Sequence, residues 1–311
     1  MQRCRILPGV VFMVIWNTFV YDVVANWQWS ARGWLHNLSC LDTLQDVMPC
    51  GMGSLDFAGG GPVHMVAGFS GLAYSLVIGK RNIDNDPMRP HNLTNVFLGT
   101  ALLWMGWYGF NGGSALAASN RASFACIATM IAASTGSLAW VIKDYLRSGK
   151  ISGVGYCSGA LAGLVGVTPG SGFVSPWAAA IIGIVASVCC NYACRLKEYA
   201  DADDSLDAFA LHGVGGFVGD ILCGVFAQQW VARLDGTVIL GGPMDKFPTQ
   251  IGYQLVAAVS ISAYAFFATL IIVYVIDIIP GLHLRLTAEE EVIGGDISEM
   301  GEIAFEFVPY D

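Results

Sequence analysis

Apolar residues run along this chain in long blocks, broken by short polar punctuation. Eight blocks can be counted, at about 7–25, 56–79, 94–118, 122–145, 152–169, 174–195, 204–229 and 250–280. A run of roughly 18 or more residues with almost no charge is what a membrane-spanning helix requires. All but one of the junctions are plainly polar. The exception, TPGSGFVSP, is a tight Gly/Pro turn between the fifth and sixth blocks. The pattern predicts an all-α, multi-span membrane protein.

Two blocks share one text. Residues 56–71 read DFAGGGPVHMVAGFSG and residues 204–219 read DSLDAFALHGVGGFVG. Each is Asp, seven residues, His, then x-Val-x-Gly-Phe-x-Gly. His64 and His212 are separated by 212 − 64 = 148 positions. Duplicated halves with a site at their junction characterise many transporters, and ionisable residues inside spans mark pathways.

Orientation follows from Lys and Arg. Alternating the ends places Arg3, Arg5, Lys80, Arg81, Arg89, Lys143, Arg147, Lys150, Arg195, Lys197 and Arg285 on one side. Arg32, Arg121, Arg233 and Lys246 fall on the other. The first side is expected to be cytoplasmic, with both termini inside. The two copies then run in opposite directions. Eight residues at 1.5 Å put each His about 12 Å from its Asp, near the middle of a core about 30 Å thick. His64, Gly68 and Gly71 share a face, as do His212, Gly216 and Gly219. Small residues let helices approach closely, so the two histidines are expected to meet at mid-membrane.

Several readings of the pair stand side by side. Each His can be a hydrogen-bonded core residue. The pair can ligate a haem, although the glycine faces leave little room for one, or belong to a metal site, for which no third ligand is evident. Symmetric depth favours a path for a small polar solute or protons, with imidazole donating or accepting. Asp56 and Asp204 each open a helix and are expected to cap it; Asp207 lies one turn further in. In the third block Phe110 and Ser114 share a face near the outer end, and Trp29 sits in NWQWSARGW. Spacing alone favours an interfacial anchor for Trp29. The alternative is an aromatic cup for a cation, worth roughly 0.5–2 kcal/mol.

Composition supports this picture. Apolar residues make up 55% and charged ones 13%. The net charge of −9 is concentrated in an acidic C-terminal tail, which argues against nucleic acid. The nine cysteines lack any CxxC pair. Those in apolar blocks read as small buried residues. Cys40 and Cys50 share a polar loop, where a disulfide is one alternative if the loop faces outside. Asn37-Leu38-Ser39 is a glycosylation triplet in the same loop. The basic start followed by apolar residues is expected to be a first span rather than a cleaved leader.

LDFAGGGPVH, GFNGGSALAA and LDAFALHGVGG, in that order, resemble the ammonium transporter family (Amt/Mep/Rh), in its fungal Mep-type branch. RLTAEEEVIGGDISEMGE resembles that family's regulatory C-terminal segment. The resemblance implies a plasma-membrane homotrimer with one pore per subunit, each built of two inverted five-helix halves and a final helix. No cofactor, metal or enzymatic activity is implied. His64 and His212 match the pore histidines that guide ammonia or its proton. Trp29, Phe110 and Ser114 match the outer ammonium-recruitment site, Asp56 its supporting aspartate and Asp204 the symmetric mate. Residues 1–280 are then the transporter domain and 281–311 a cytoplasmic tail open to a regulator.

The family has eleven spans against eight here. The first block matches the family's fourth, so three N-terminal helices are expected to be missing, with the outer phenylalanine that pairs with Phe110. Gly61 replaces a more usual threonine, and Met300 stands where histidine is common.

Overall fold

Among the described residues, eight helices of 15 or more residues form the body of the protein. The computed structural model describes residues 3–41, 53–81, 90, 92–195 and 202–302. The helices are α1 Ile6–Trp29, α2 Gly60–Ile78, α3 Leu93–Gly113, α4 Asn120–Ser148, α5 Gly153–Val167, α6 Pro176–Ala193, α7 Phe209–Phe226 and α8 Thr249–Asp277. A short α9, Ala288–Ile293, follows. Six of the eight are long and apolar enough to cross a membrane. The other two are α3, diluted by Thr, Asn and Gly, and α5, which has only 15 residues. Ten of those 15 are buried, so α5 lies inside the bundle rather than against lipid.

Local chemistry sets the ends. Side chains of Asn92, Ser119 and Ser152 accept from the backbone N–H three residues on and start α3, α4 and α5. Pro176 occupies the first turn of α6, where its missing N–H costs nothing. The third block stops earlier than its hydropathy suggests. After Gly113 the chain turns through Ser114, and Leu116 takes a left-handed φ of 54°. Ser114 is therefore a helix end, not a helix interior.

Packing relies on small residues. Ala128, Ala132, Ala178, Ala179 and Ile182 form a close interface between α4 and α6. α8 packs against α2 around Met65, Val66, Ala257, Ala258 and Ile261. Outward-facing Leu102, Met105, Leu138, Ile142, Phe267 and Ile271 are exposed, as a lipid-facing surface requires.

The two ends of the bundle are tied differently. At one end Arg121 lies 4.6 Å from the ring centres of both Phe57 and Phe173 and donates to the Gly172 carbonyl at 2.8 Å. At the other, the tail is docked rather than loose. Cys4 and Arg285 pair as an antiparallel bridge, Arg5 contacts Glu290 at 3.2 Å, and the Ile6 N–H donates to Glu299 at 2.9 Å. Arg285 donates to the Ile78 carbonyl at 2.9 Å, so the tail touches the end of α2. A reciprocal Thr287–Glu290 capping box starts α9. The acidic tail is thus held against the bundle by these contacts between residues 284 and 299. The first helix and the tail lie on the same side.

Cys50 lies outside the described residues, and with it the pairing with Cys40. The Asn37 side-chain amide donates to the carbonyls of Ala31 at 2.9 Å and Gly33 at 2.8 Å, so the nitrogen a glycan would need is engaged in the fold.

Candidate functional site: a histidine pair between two antiparallel helices

The duplicated text produces a duplicated irregularity. Gly60–Met65 and Phe209–Val214 are both wide π-helical turns, and each contains its histidine. Such turns insert an extra residue per turn, re-aim side chains and often occur at functional sites. Beyond them α2 and α7 continue as ordinary helix.

Asp56 starts α2 as a cap. One oxygen accepts the N–H of Gly59 at 2.7 Å and of Gly60 at 3.0 Å; the other accepts Gly61 at 2.7 Å. Gly59 has φ of 114°, a conformation that favours glycine. Asp204 holds the matching position and accepts the Phe209 N–H at 2.8 Å. Asp207 takes a left-handed φ of 53°, and its carbonyl receives the Leu211 N–H at 2.8 Å. The carboxylates therefore serve the helix starts.

Close backbone approach brings α2 and α7 together. A Cβ on Gly68 would lie 2.0 Å from the Gly213 nitrogen, and one on Gly216 would lie 2.8 Å from the Gly60 oxygen. Gly68 meets Gly213, Gly71 lies by Ala208, and Arg81 reaches Ser205, while Gly216 meets Gly60. One index rises as the other falls, so the helices are antiparallel. The expected glycine face is corrected at one position. Gly219 packs on Gly166 of α5, where its Cβ would be 2.2 Å from a carbonyl oxygen.

The imidazoles meet in this contact. Nδ1 of His64 and Nδ1 of His212 are 3.2 Å apart, with ring centres at 5.3 Å and planes inclined by 36°. At that distance one nitrogen donates and the other accepts, so two doubly protonated rings would set N–H against N–H. His64 is 4% exposed, and its Nε2 has no hydrogen-bond partner among the described residues.

Aromatic rings close over one side of His64. Trp107 stacks on it at 5.3 Å and 19°, and Phe110 lies 5.8 Å away. Trp107 is fixed by a bond from its indole N–H to the Thr168 hydroxyl at 3.0 Å. Trp107 is a site residue that the duplicated motif does not mark. Its three-residue spacing from Phe110, on one helix face, was the available signal. Trp29 donates its indole N–H to the Asp56 carbonyl at 3.0 Å and lies beside Gly59. The Ser114 hydroxyl turns back to the Phe110 carbonyl at 2.7 Å. Phe110 thus joins the histidines directly, Trp29 joins through the Asp56 turn, and Ser114 joins through Phe110.

A cavity lies at each end of the helix pair. One, of about 220 Å³, is lined by Trp29, Ser54, Asp56, Ile239 and Gln250. The other, of about 140 Å³, is lined by Gly71, Tyr74, Ser75, Asp203, Asp204 and Ala208. The histidine pair sits between them. Beside the second cavity Arg81 grips Asp203 through its backbone N–H at 3.0 Å and through its guanidinium. That hydrogen bonding holds the Asp203 carboxyl at a pKa of about 2. Among the described residues no group of three or more His, Cys, Asp or Glu side chains is arranged to hold a metal.

This geometry sits in a chain whose residues 1–305 match the family model described as Ammonium Transporter Family. The chain belongs to that family. It is 47% identical over 307 residues to Ammonium transporter 1 of Schizosaccharomyces pombe, covering 98% of this chain and 59% of that protein. It is 42% identical over 317 residues to Ammonium transporter MEP2 of Saccharomyces cerevisiae, covering 98% and 60%. The crystal structure of Candida albicans Mep2 superposes with a TM-score of 0.84 at 46% identity, covering 93% of this chain and 62% of that one. The chain thus spans about three fifths of the length of these relatives. The fungal Mep-type resemblance and the all-helical transporter fold are shown by these matches.

Proposed function

We propose that the chain takes part in moving ammonium-derived nitrogen across a membrane, with His64 and His212 lining the path. The observation that carries the reading is the 3.2 Å contact between the two Nδ1 atoms, made by antiparallel helices from a duplicated sequence. A bare cation is costly at the bilayer centre, by roughly 2.5–3.5 kcal/mol or more. Ammonium recruited near Trp29, Phe110 and Ser114 would therefore shed its proton before the buried stretch. Neutral ammonia can donate to an imidazole nitrogen and accept from an N–H, so a pair offering both suits it. Potassium has no proton to shed and is excluded. Asp56 supports the outer end and Asp204, with Asp207, the inner one.

The wider setting belongs to the same proposal. The protein resides in the plasma membrane with its N-terminus and residues 281–311 on the cytoplasmic side, and works as a homotrimer with one pore in each subunit.

The test is methylammonium uptake in cells lacking their own ammonium transport. With expression at the membrane matched, His64→Ala and His212→Ala each lower uptake by about tenfold or lose discrimination against potassium. Unchanged uptake and unchanged discrimination in both variants would refute the assignment.

A second reading is favoured by the docked tail. A solved structure titled Sensor Amt Protein, 27% identical with a TM-score of 0.79, shares this fold. In that reading the chain binds ammonium and signals through the tail to a cytoplasmic regulator. Deleting the residues after Arg285 separates the two. Loss of uptake alone supports gating by the tail, and loss of downstream signalling with uptake intact supports sensing.

A further inference from the structure

Asp220 is a carboxylic acid in the buried part of α7, 2% exposed, and takes no part in the path described above. A buried acid in a span is expensive, so its partners matter. One oxygen accepts the Gln254 side-chain N–H at 2.8 Å; the other is buried with no partner among the described residues. Gln254, fully buried on α8, grips Leu55 by both its backbone groups. Its oxygen accepts the Leu55 N–H at 2.6 Å and its nitrogen donates to the Leu55 carbonyl at 2.7 Å. Gln250, one turn away, donates to the Gly53 carbonyl at 3.0 Å.

Leu55 immediately precedes Asp56, whose carboxylate gathers three N–H groups and whose carbonyl holds Trp29. The His64 N–H in turn donates to the Gly59 carbonyl at 3.0 Å. One line of hydrogen bonds and two short stretches of chain therefore leads from Asp220 through Gln254, Leu55, Asp56 and Gly59 to His64. Residues 53–57 lie outside any helix or strand, and the N–H groups of Gly53, Ser54 and Phe57 go to backbone carbonyls, which leaves the Leu55 groups and the Gly53 carbonyl to be satisfied. The two glutamines satisfy those remaining groups, and Asp220 orients the amide that serves Leu55.

We propose that Asp220 is a positioning residue: acting through Gln254, it fixes the Leu55–Asp56 turn from which the outer approach and the His64 helix are set. Its effect on transport rests on the function proposed above; its effect on the turn does not.

The experiment uses the purified full chain and compares Asp220→Leu, Asp220→Asn, Gln254→Leu and the double leucine variant. Amide hydrogen exchange is read over residues 55–64. Exchange there rises about tenfold in Asp220→Leu, as expected for losing a buried hydrogen-bonded brace, while α4, α5 and α6 keep their protection. Asp220→Asn stays within about threefold of the parent, because an amide oxygen can accept the same bond. The double variant is no faster than the single ones, since they break one line. In uptake, the methylammonium KM of Asp220→Leu rises about tenfold with the maximal rate nearly unchanged.

Parental exchange over 55–64 in Asp220→Leu overturns the proposal, as does an Asp220→Asn variant as fast as the leucine. If Asp220→Leu does not accumulate, Gln254→Leu against Asp220→Asn makes the same comparison. If the parent chain itself takes up no methylammonium, the transport reading falls and exchange alone decides the brace.

Discussion

Gly68 is the residue on which the histidine contact most depends. A methyl group there would meet the Gly213 nitrogen at 2.0 Å, and a backbone atom cannot swing aside as a side chain can. Gly68→Val is expected to push α2 and α7 apart, lower stability by about 1–3 kcal/mol and abolish uptake. Thermal unfolding in detergent beside an uptake assay checks both parts. Asp56 makes a second residue-scale prediction. Its carboxylate accepts three N–H groups, whereas asparagine offers one oxygen and two unwanted donors. Asp56→Asn should cost about 1.5–3 kcal/mol, seen as a lower unfolding midpoint. If its role were only long-range attraction of ammonium, stability would not change. Residue chemistry of this local kind was legible. A cap lies within five positions of the amides it serves, and His-x3-Gly spacing fixes a face. Trp107 was legible only as a neighbour of Phe110 on one helix face; its stacking on His64 joins α3 to α2, which neither segment alone encodes.

At the scale of elements, the eight apolar blocks correspond to the eight long helices. What periodicity could not supply was where each block stops and what it leans on. The π turns at Gly60–Met65 and Phe209–Val214 leave no compositional mark, since one extra residue per turn disturbs no hydrophobic count. The Gln254 brace and the docked tail are likewise long-range: Gln254 and Leu55 are 199 positions apart. At the tail end, Arg81, Arg3 and Asp203 tie the finish of α2 to the start of α7. The folded pKa of Asp203, about 2, lies below the ordinary 3.8. Its contribution is therefore complete above about pH 4 and lost as pH falls toward 2. Asp203→Asn should be less stable than the parent at pH 6, with the difference closing as pH approaches 2. A constant difference down to pH 2 would show that the charge on Asp203 is not what matters.

For the whole molecule, one histidine contact lies between two cavities. The ring of Trp107, the backbone contact at Gly68 and the capped turns at Asp56 and Asp204 all constrain the same two imidazoles. A membrane interior penalises charge far more than a neutral polar molecule. Under the proposed function, a buried stretch carrying two imidazoles would pass ammonia more readily than any permanent cation. The most direct measurement is ammonium and potassium flux in liposomes reconstituted with the purified chain, His64→Ala and His212→Ala. The account predicts ammonium flux well above empty liposomes with potassium excluded for the parent, and loss of flux or of exclusion in each variant. Parental ammonium flux and full potassium exclusion in both variants would contradict it.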